Sequence, residues 1–292
     1  MIHDFKYLRA TSSQGALELL DEYHEDYKII CGGQSLLILM RQGLVTPEYL
    51  IDIKRVDDLN YITFDKKNGL RIGATTTHRT IEQSPVVHEH YPSIVEMEEN
   101  LASIQTRNWG TIGGNLAHGD PAGCPAPLLI ALNATVKVAN KSGERVIPME
   151  NFSLDYFETD LNEGEMLLEI QVPPPPKRTA ARYEKFNVIK NDQGTVNCAV
   201  AISLDETAST CVDARIVVGA AGPTPTRITD AEQMLIGASL SNELLTEIGQ
   251  KASETVEPVS DIHGTEEYRR RLAAVLTKKN VQRVWNEAIT VA

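Results

Sequence analysis

Apolar and polar positions change places in short runs along most of this chain, and the runs predict many short elements in place of a few long ones. Ser13 is placed to cap a helix that turns Ala16, Leu19 and Leu20 to one side. Apolar stretches over 28–31, 49–53 and 70–72 read as strands, and 36–41, 77–83, 93–104 and 127–132 read as helices. A strand follows over 135–139. Pro173-Pro174-Pro175-Pro176, followed by Lys177-Arg178, fits neither a helix nor a central strand and is read as an extended linker and domain boundary. Beyond it, 199–204 and 214–219 read as strands of an antiparallel sheet. Ser241 caps a helix over 242–256, and Thr265 with Glu266 and Glu267 opens a last helix to about residue 289. Leu272, Val275, Leu276, Val281 and Val284 fall roughly on one face of that helix and are taken as core. The pattern is α+β, with no internal repeat and no regular βαβ array.

Composition narrows the classes of function. The 292 residues, 42% of them hydrophobic, suffice for one large core or two to three small ones. A formal net charge of −12 argues against a nucleic-acid partner, which requires clustered Lys and Arg. The N-terminus MIHDFKYLRA lacks an apolar signal region, and no stretch reaches the roughly 20 apolar residues of a membrane span, so a cytoplasmic, soluble chain is expected. The four cysteines, Cys31, Cys124, Cys198 and Cys211, are far apart and form no CxxC pair. They are read as free thiols, and no metal or cluster site within this chain is expected.

Two glycine turns carry the candidate chemistry. In Ile29-Ile30-Cys31-Gly32-Gly33-Gln34-Ser35-Leu36 a strand ends, two glycines turn the backbone and a helix begins. Glycine permits positive φ and close approach of a ligand to the main chain, and successive N–H groups there can hold an anion such as a pyrophosphate. The turn matches neither GxGxxG nor a Walker loop, and by itself it reads first as an ordinary strand-to-helix connection. Gly110-Thr111-Ile112-Gly113-Gly114-Asn115, about 80 residues later, repeats the combination of close glycines, a small hydroxyl residue and an amide. Two such turns could clamp the phosphates of a dinucleotide from opposite sides.

With both turns in this order, the chain resembles the FAD-binding subunits of molybdenum hydroxylases, the group that includes the medium subunit of aerobic carbon monoxide dehydrogenase and the flavin domain of xanthine dehydrogenase. The likeness spans essentially the whole chain. It rests on the 31–36 and 105–115 segments, with further matches at 50–53, 72–74, 126–132, 165–168, 183–186 and 267–270. The resemblance implies a two-lobed FAD-binding domain of the PCMH (vanillyl-alcohol-oxidase-like) type over 1–176, with lobes of about 1–55 and 56–176. A C-terminal domain of antiparallel sheet and helices follows over 177–292. It implies that Ile29, Ile30, Cys31, Gly32, Gly33, Gln34, Ser35 and Leu36 hold the pyrophosphate from one side and Thr111, Gly114 and Asn115 from the other. Leu101 and Ala102 would lie near the adenine, Leu167 would pack near the cofactor, and Lys185 would stand close to the flavin ring. A cation there favours the anionic reduced flavin. The implied partners are a molybdenum-binding large subunit, carrying the molybdenum cofactor, and a small subunit with [2Fe-2S] clusters, in a hetero-oligomer.

The sequence also departs from that family. The stretch Asp120-Pro-Ala-Gly-Cys124 ends in a cysteine where the family has a second aspartate, Ile189 replaces an arginine, and Gln193 or Gly194 replaces an aromatic expected to stack on the ring. No cysteine-rich insertion for an additional cluster is present. His118 and Asp120 suit contacts to the FAD ribityl or phosphate region, or loop structure; with Cys124 they match a zinc set by residue type only. A self-contained reductase of the UDP-N-acetylenolpyruvoylglucosamine reductase type also has two glycine turns, but Leu116-Ala-His-Gly119 lacks the run that follows its second turn. The third reading is a flavin-binding scaffold without turnover.

Overall fold

The computed structural model of the chain describes residues 3–24, 26–189 and 191–291. It begins with a small lobe of β1 (Lys6–Arg9), α1 (Ser13–Glu22), β2 (Tyr27–Ile30), α2 (Leu36–Gln42) and β3 (Tyr49–Asp52), whose strands form a parallel sheet in the order β1-β3-β2. The cap of α1 is one residue earlier than expected. Ser12 has extended backbone and its hydroxyl accepts the Gly15 N–H at 3.0 Å, whereas Ser13 donates its amide to Asp58.

The second lobe is helix-rich. Strands β4 (Ile62–Asp65) and β5 (Gly69–Gly73) lead into α3 (His78–Glu82), α4 (Pro85–His90), α5 (Pro92–Glu99), α6 (Ile104–Trp109), α7 (Ile112–His118) and α8 (Pro125–Ala131). Then come β6 (Thr135–Asn140), β7 (Gly143–Pro148), the small hairpin β8 (Ser153–Asp155) and β9 (Glu158–Thr159), and β10 (Met166–Val172). The sheet β4-β5-β10-β6-β7 is antiparallel throughout. The single helix expected over 93–104 is two helices, because Ala102 takes a left-handed φ of 44° that no helix accommodates. The apolar Leu101 and Ala102 continue the hydrophobic pattern across the break and conceal it.

The proline run lies between β10 and β11 (Thr179–Phe186). Strand β11 pairs in turn with β12 (Val196–Leu204), β13 (Cys211–Gly219) and β14 (Thr226–Arg227) in an antiparallel sheet, backed by α9 (Thr229–Leu235), α10 (Asn242–Thr255) and α11 (Glu266–Thr290). Every residue of β12 is buried. Val196, Cys198, Val200 and Ile202 face the helices, while Ala199 and Ala201 join the core of the second lobe. Strand side chains alternate between faces, so a strand covered on both sides reads as an unbroken apolar run. On α11, Leu276, Val281 and Val284 are buried and Leu272 packs against the same core, but Val275 is 61% exposed. The buried stripe instead passes through Ala273, Thr277, Asn280, Trp285 and Ala288, which corrects the expected face for Val275.

Candidate functional site

Between the first lobe, the helices of the second and the end of β11 lies a cleft of about 900 Å³, within the size range of sites for cofactor-sized ligands. The structure brings all the expected residues to its wall: Ile29 through Leu36, then Leu101, Ala102, Thr111, Gly114, Asn115, His118, Asp120, Leu167 and Lys185.

The two glycine turns touch each other. A Cβ on Gly32 would stand 2.6 Å from the Trp109 carbonyl oxygen and 2.7 Å from the Gly110 Cα, so residue 32 is glycine because the other turn lies against it. Gly33 has φ +69°, a conformation glycine adopts without strain. Ser35 stands at the cap of α2 but makes no side-chain cap bond, leaving its hydroxyl for a ligand. The Cys31 thiol faces Thr111 and its pKa is raised by burial.

At the second turn the Thr111 hydroxyl accepts the Gly114 N–H at 3.3 Å. The Ile112 and Gly113 amides donate to the Thr76 and Ala74 carbonyls at 3.1 and 3.0 Å. This side therefore lacks the run of consecutive ligand-facing amides that a nest requires: the Gly114 amide is turned to the Thr111 hydroxyl and the Asn115 amide donates to the Thr111 carbonyl at 2.9 Å, so the Asn115 side chain remains. The adjacent glycines also differ in role. A Cβ on Gly113 would meet the Ala74 carbonyl oxygen at 2.6 Å, whereas one on Gly114 would meet only the Thr111 hydroxyl, at 2.9 Å, with the cleft beyond.

The 100–102 segment is strapped from behind. Arg107 donates to the Leu101 and Ala102 carbonyls at 2.8 Å each and to Glu82 at 2.8 Å. Lys185 donates to the Asn100 carbonyl at 2.6 Å and the Asp192 carbonyl at 2.9 Å. These cations fix Ala102, a strained residue of the wall, in place.

His118, Asp120 and Cys124 serve separate partners. The His118 ring lies 5.2 Å from that of Phe157, Asp120 accepts the Ala122 N–H at 2.9 Å, and Cys124 faces Lys185. Where an aromatic was expected to reach the ring, Gln193 and Gly194 line the cleft, and Ile189 is exposed. Sequence reasoning missed Phe157, which lines the cleft with a left-handed φ of 56°. It also missed His78, whose Nδ1 lies 2.9 Å from the fully buried Glu98 carboxylate and whose amide donates to the Gly110 carbonyl at 3.0 Å. Spacing along the sequence could not have suggested His78, which meets Glu98 only through the packing of α3 on α5.

Two lobes clasping a glycine-lined cleft, followed by an antiparallel sheet with helices, define a flavoprotein of the FAD-binding type. Residues 3–175 match the family described as "FAD binding domain in molybdopterin dehydrogenase", and residues 181–284 match the "CO dehydrogenase flavoprotein C-terminal domain". The chain belongs to this family of FAD-binding subunits of molybdenum hydroxylases, which are oxidoreductases. It is 33% identical to the glyceraldehyde dehydrogenase medium chain of Sulfolobus acidocaldarius, over 96% of this chain and 98% of that one. It is 35% identical to the nicotine 6-hydroxylase medium subunit of Paenarthrobacter nicotinovorans, over 94% and 95%. Among solved structures, carbon monoxide dehydrogenase from Hydrogenophaga pseudoflava superposes with a TM-score of 0.94 at 32% identity, covering 98% of this chain and 99% of that one. Quinoline 2-oxidoreductase from Pseudomonas putida 86 gives 0.93 at 30% identity, covering 99% of each.

Proposed function

We propose that this chain carries electrons within a larger molybdenum hydroxylase: it binds FAD, accepts electrons from iron–sulfur clusters of a small partner subunit, and delivers them to an external acceptor. A molybdenum-binding large subunit would oxidise the organic substrate. On this reading residues 1–176 form the FAD-binding domain, in lobes of about 1–55 and 56–176, and residues 177–292 the C-terminal domain.

The observation that carries the proposal is the cleft itself. Gly33 and Gly114 bring main chain to its wall, Ser35 and Asn115 offer donors, and Lys185 supplies a cation at the far wall. These groups fit a dinucleotide with two phosphates and an electron-accepting ring. The 29–36 segment would hold the pyrophosphate from one side and Thr111, Gly114 and Asn115 from the other. Leu101 and Ala102 would meet the adenine, Leu167 would pack on the cofactor, and His118 would border the ribityl region. The bound flavin would supply the two-electron chemistry, while the protein orients it and sets its electrostatics.

Relatives of nearly equal identity, 33% and 35%, are named for glyceraldehyde and nicotine, chemically unrelated substrates. A subunit that does not select the substrate accounts for that spread. The first test is simple: the purified chain takes up one FAD without a covalent link, and acid precipitation releases the yellow cofactor to the supernatant. A colourless chain that also fails to take up added FAD would contradict the reading.

A further inference from the structure

Among the described residues, Lys185 lacks the carboxylate partner that several buried and half-buried arginines have. Arg107, Arg145, Arg182, Arg227 and Arg269 each close on at least one carboxylate. Lys185 reaches two backbone carbonyls and, at 3.8 Å, the Cys124 sulfur, its one side-chain hydrogen-bond partner among the described residues. No carboxylate forms an ion pair with it among the described residues. The carboxylates on the neighbouring elements are otherwise engaged: Glu98 of α5 holds His78 Nδ1 at 2.9 Å, and Asp192 accepts the Gln193 N–H at 2.8 Å. Cys124 is buried against the ammonium and against Tyr183, and burial pushes its thiol pKa up, so the thiol stays neutral.

We propose that Cys124 sets the reduction potential of the bound flavin by leaving the charge of Lys185 uncompensated. This rests on the reading of the cleft as an FAD site with Lys185 at the ring. Two electrons and one proton added to the isoalloxazine leave it with one negative charge, and a nearby cation stabilises that form over the neutral oxidised one. A carboxylate at position 124 would pair with the ammonium and cancel much of its field; a neutral thiol leaves the field directed at the cleft. Cys124 therefore acts through Lys185 as a positioning residue, with no contact to reacting atoms required.

The test is a redox titration of the FAD-loaded full chain, with dithionite and indicator dyes, followed by the visible flavin spectrum. At the poise where the parent protein is half reduced, Cys124→Asp should raise the ratio of oxidised to reduced flavin about tenfold, a potential about 30 mV lower for a two-electron couple. Cys124→Ser, which restores a neutral partner, should remain within about twofold of the parent. Lys185→Gln should shift the ratio in the same direction as Cys124→Asp. A Cys124→Asp protein with bound FAD and an unchanged ratio overturns the proposal while leaving the FAD site standing. Should Cys124→Asp not fold, Lys185→Gln decides: a rise in the oxidised fraction supports the proposal and no rise overturns it. A parent chain with no flavin spectrum contradicts the FAD reading beneath it, an outcome visible before any titration begins.

Discussion

Gly32 and Trp109 meet backbone to backbone: the Trp109 carbonyl oxygen stands 2.6 Å from the point where a Cβ of residue 32 would lie. The two turns are thus one structural unit, although about 80 residues of chain separate them. Gly32→Ala forces the turns apart, and overpacking of this kind costs about 1–3 kcal/mol. Urea denaturation should show that loss in the apoprotein, before any ligand is considered. Unchanged stability would mean that the contact between the turns is looser than described.

Gly113 and Gly114 separate fold from ligand. Gly113→Ala presses a methyl group on the Ala74 backbone and should lower stability by about 1–3 kcal/mol. Gly114→Val projects into the cleft, so its main effect should be on FAD. Loss of even one charge-assisted hydrogen bond to the pyrophosphate, about 1.5–3 kcal/mol, weakens binding by roughly 10- to 150-fold. Gly33→Val, at φ +69°, should weaken FAD binding as well. His118→Ala removes a ring that rests beside Phe157 and should cost at most one ordinary hydrogen bond, about 0.5–1.5 kcal/mol. Equal FAD affinity in Gly114→Val, Gly33→Val and His118→Ala would show the phosphate assignment to be wrong.

The strap behind the cleft wall gives a prediction of opposite sign. Ala102 holds φ 44°, unfavourable for a residue with a Cβ, and Gly at that position removes the conflict. Ala102→Gly should leave stability unchanged or raise it by up to about 1 kcal/mol. Arg107→Ala releases the Leu101 and Ala102 carbonyls and leaves Glu82 with Arg79 alone, and should destabilise by about 3 kcal/mol. Thermal melts of the two variants moving in the same direction would contradict the strap.

Acid stability depends on Glu165. Two N–H groups of Arg145 hold its carboxyl below the ordinary value of 4.5, with a further bond from the Asn162 amide. A carboxylate whose pKa is depressed in the folded state contributes stability that is present above the unfolded value and lost as pH falls through the folded one. The parent should therefore lose stability as pH drops below about 4.5, and Glu165→Gln should show a shallower acid limb together with lower stability at neutral pH. Parallel stability curves for the two proteins would assign the acid sensitivity elsewhere.

Much of this organisation could be read in the residues alone, because it is local. Glycine pairs beside small hydroxyl residues marked both turns, Thr265 with two glutamates marked the start of α11, and the proline run marked the passage between β10 and β11. What could not be read depends on distant partners. Nothing at residue 102 announces a left-handed alanine; the conformation is held by Arg107 and by Lys185 acting on Asn100, 85 positions earlier in the chain. Val275 follows the apolar pattern of α11 yet faces solvent, because the packing of the sheet and α10 selects a stripe that includes Thr277 and Asn280. Cys124 stands out in the sequence as a replacement for an aspartate, but its place against Lys185, 61 positions away, comes only from the fold.

The central claim is that this chain carries electrons and does not itself meet the organic substrate. A relay requires a docked partner, so one flank should form an interface of at least about 1,000 Å², with few charges at its centre. Anaerobic visible spectroscopy tests the claim most directly, comparing the isolated FAD-loaded chain with the assembly purified with its partner subunits. Substrate should bleach the flavin band of the assembly and leave that of the isolated chain untouched; bleaching of the isolated, metal-free chain by substrate would contradict the relay and make this protein a self-contained flavoenzyme.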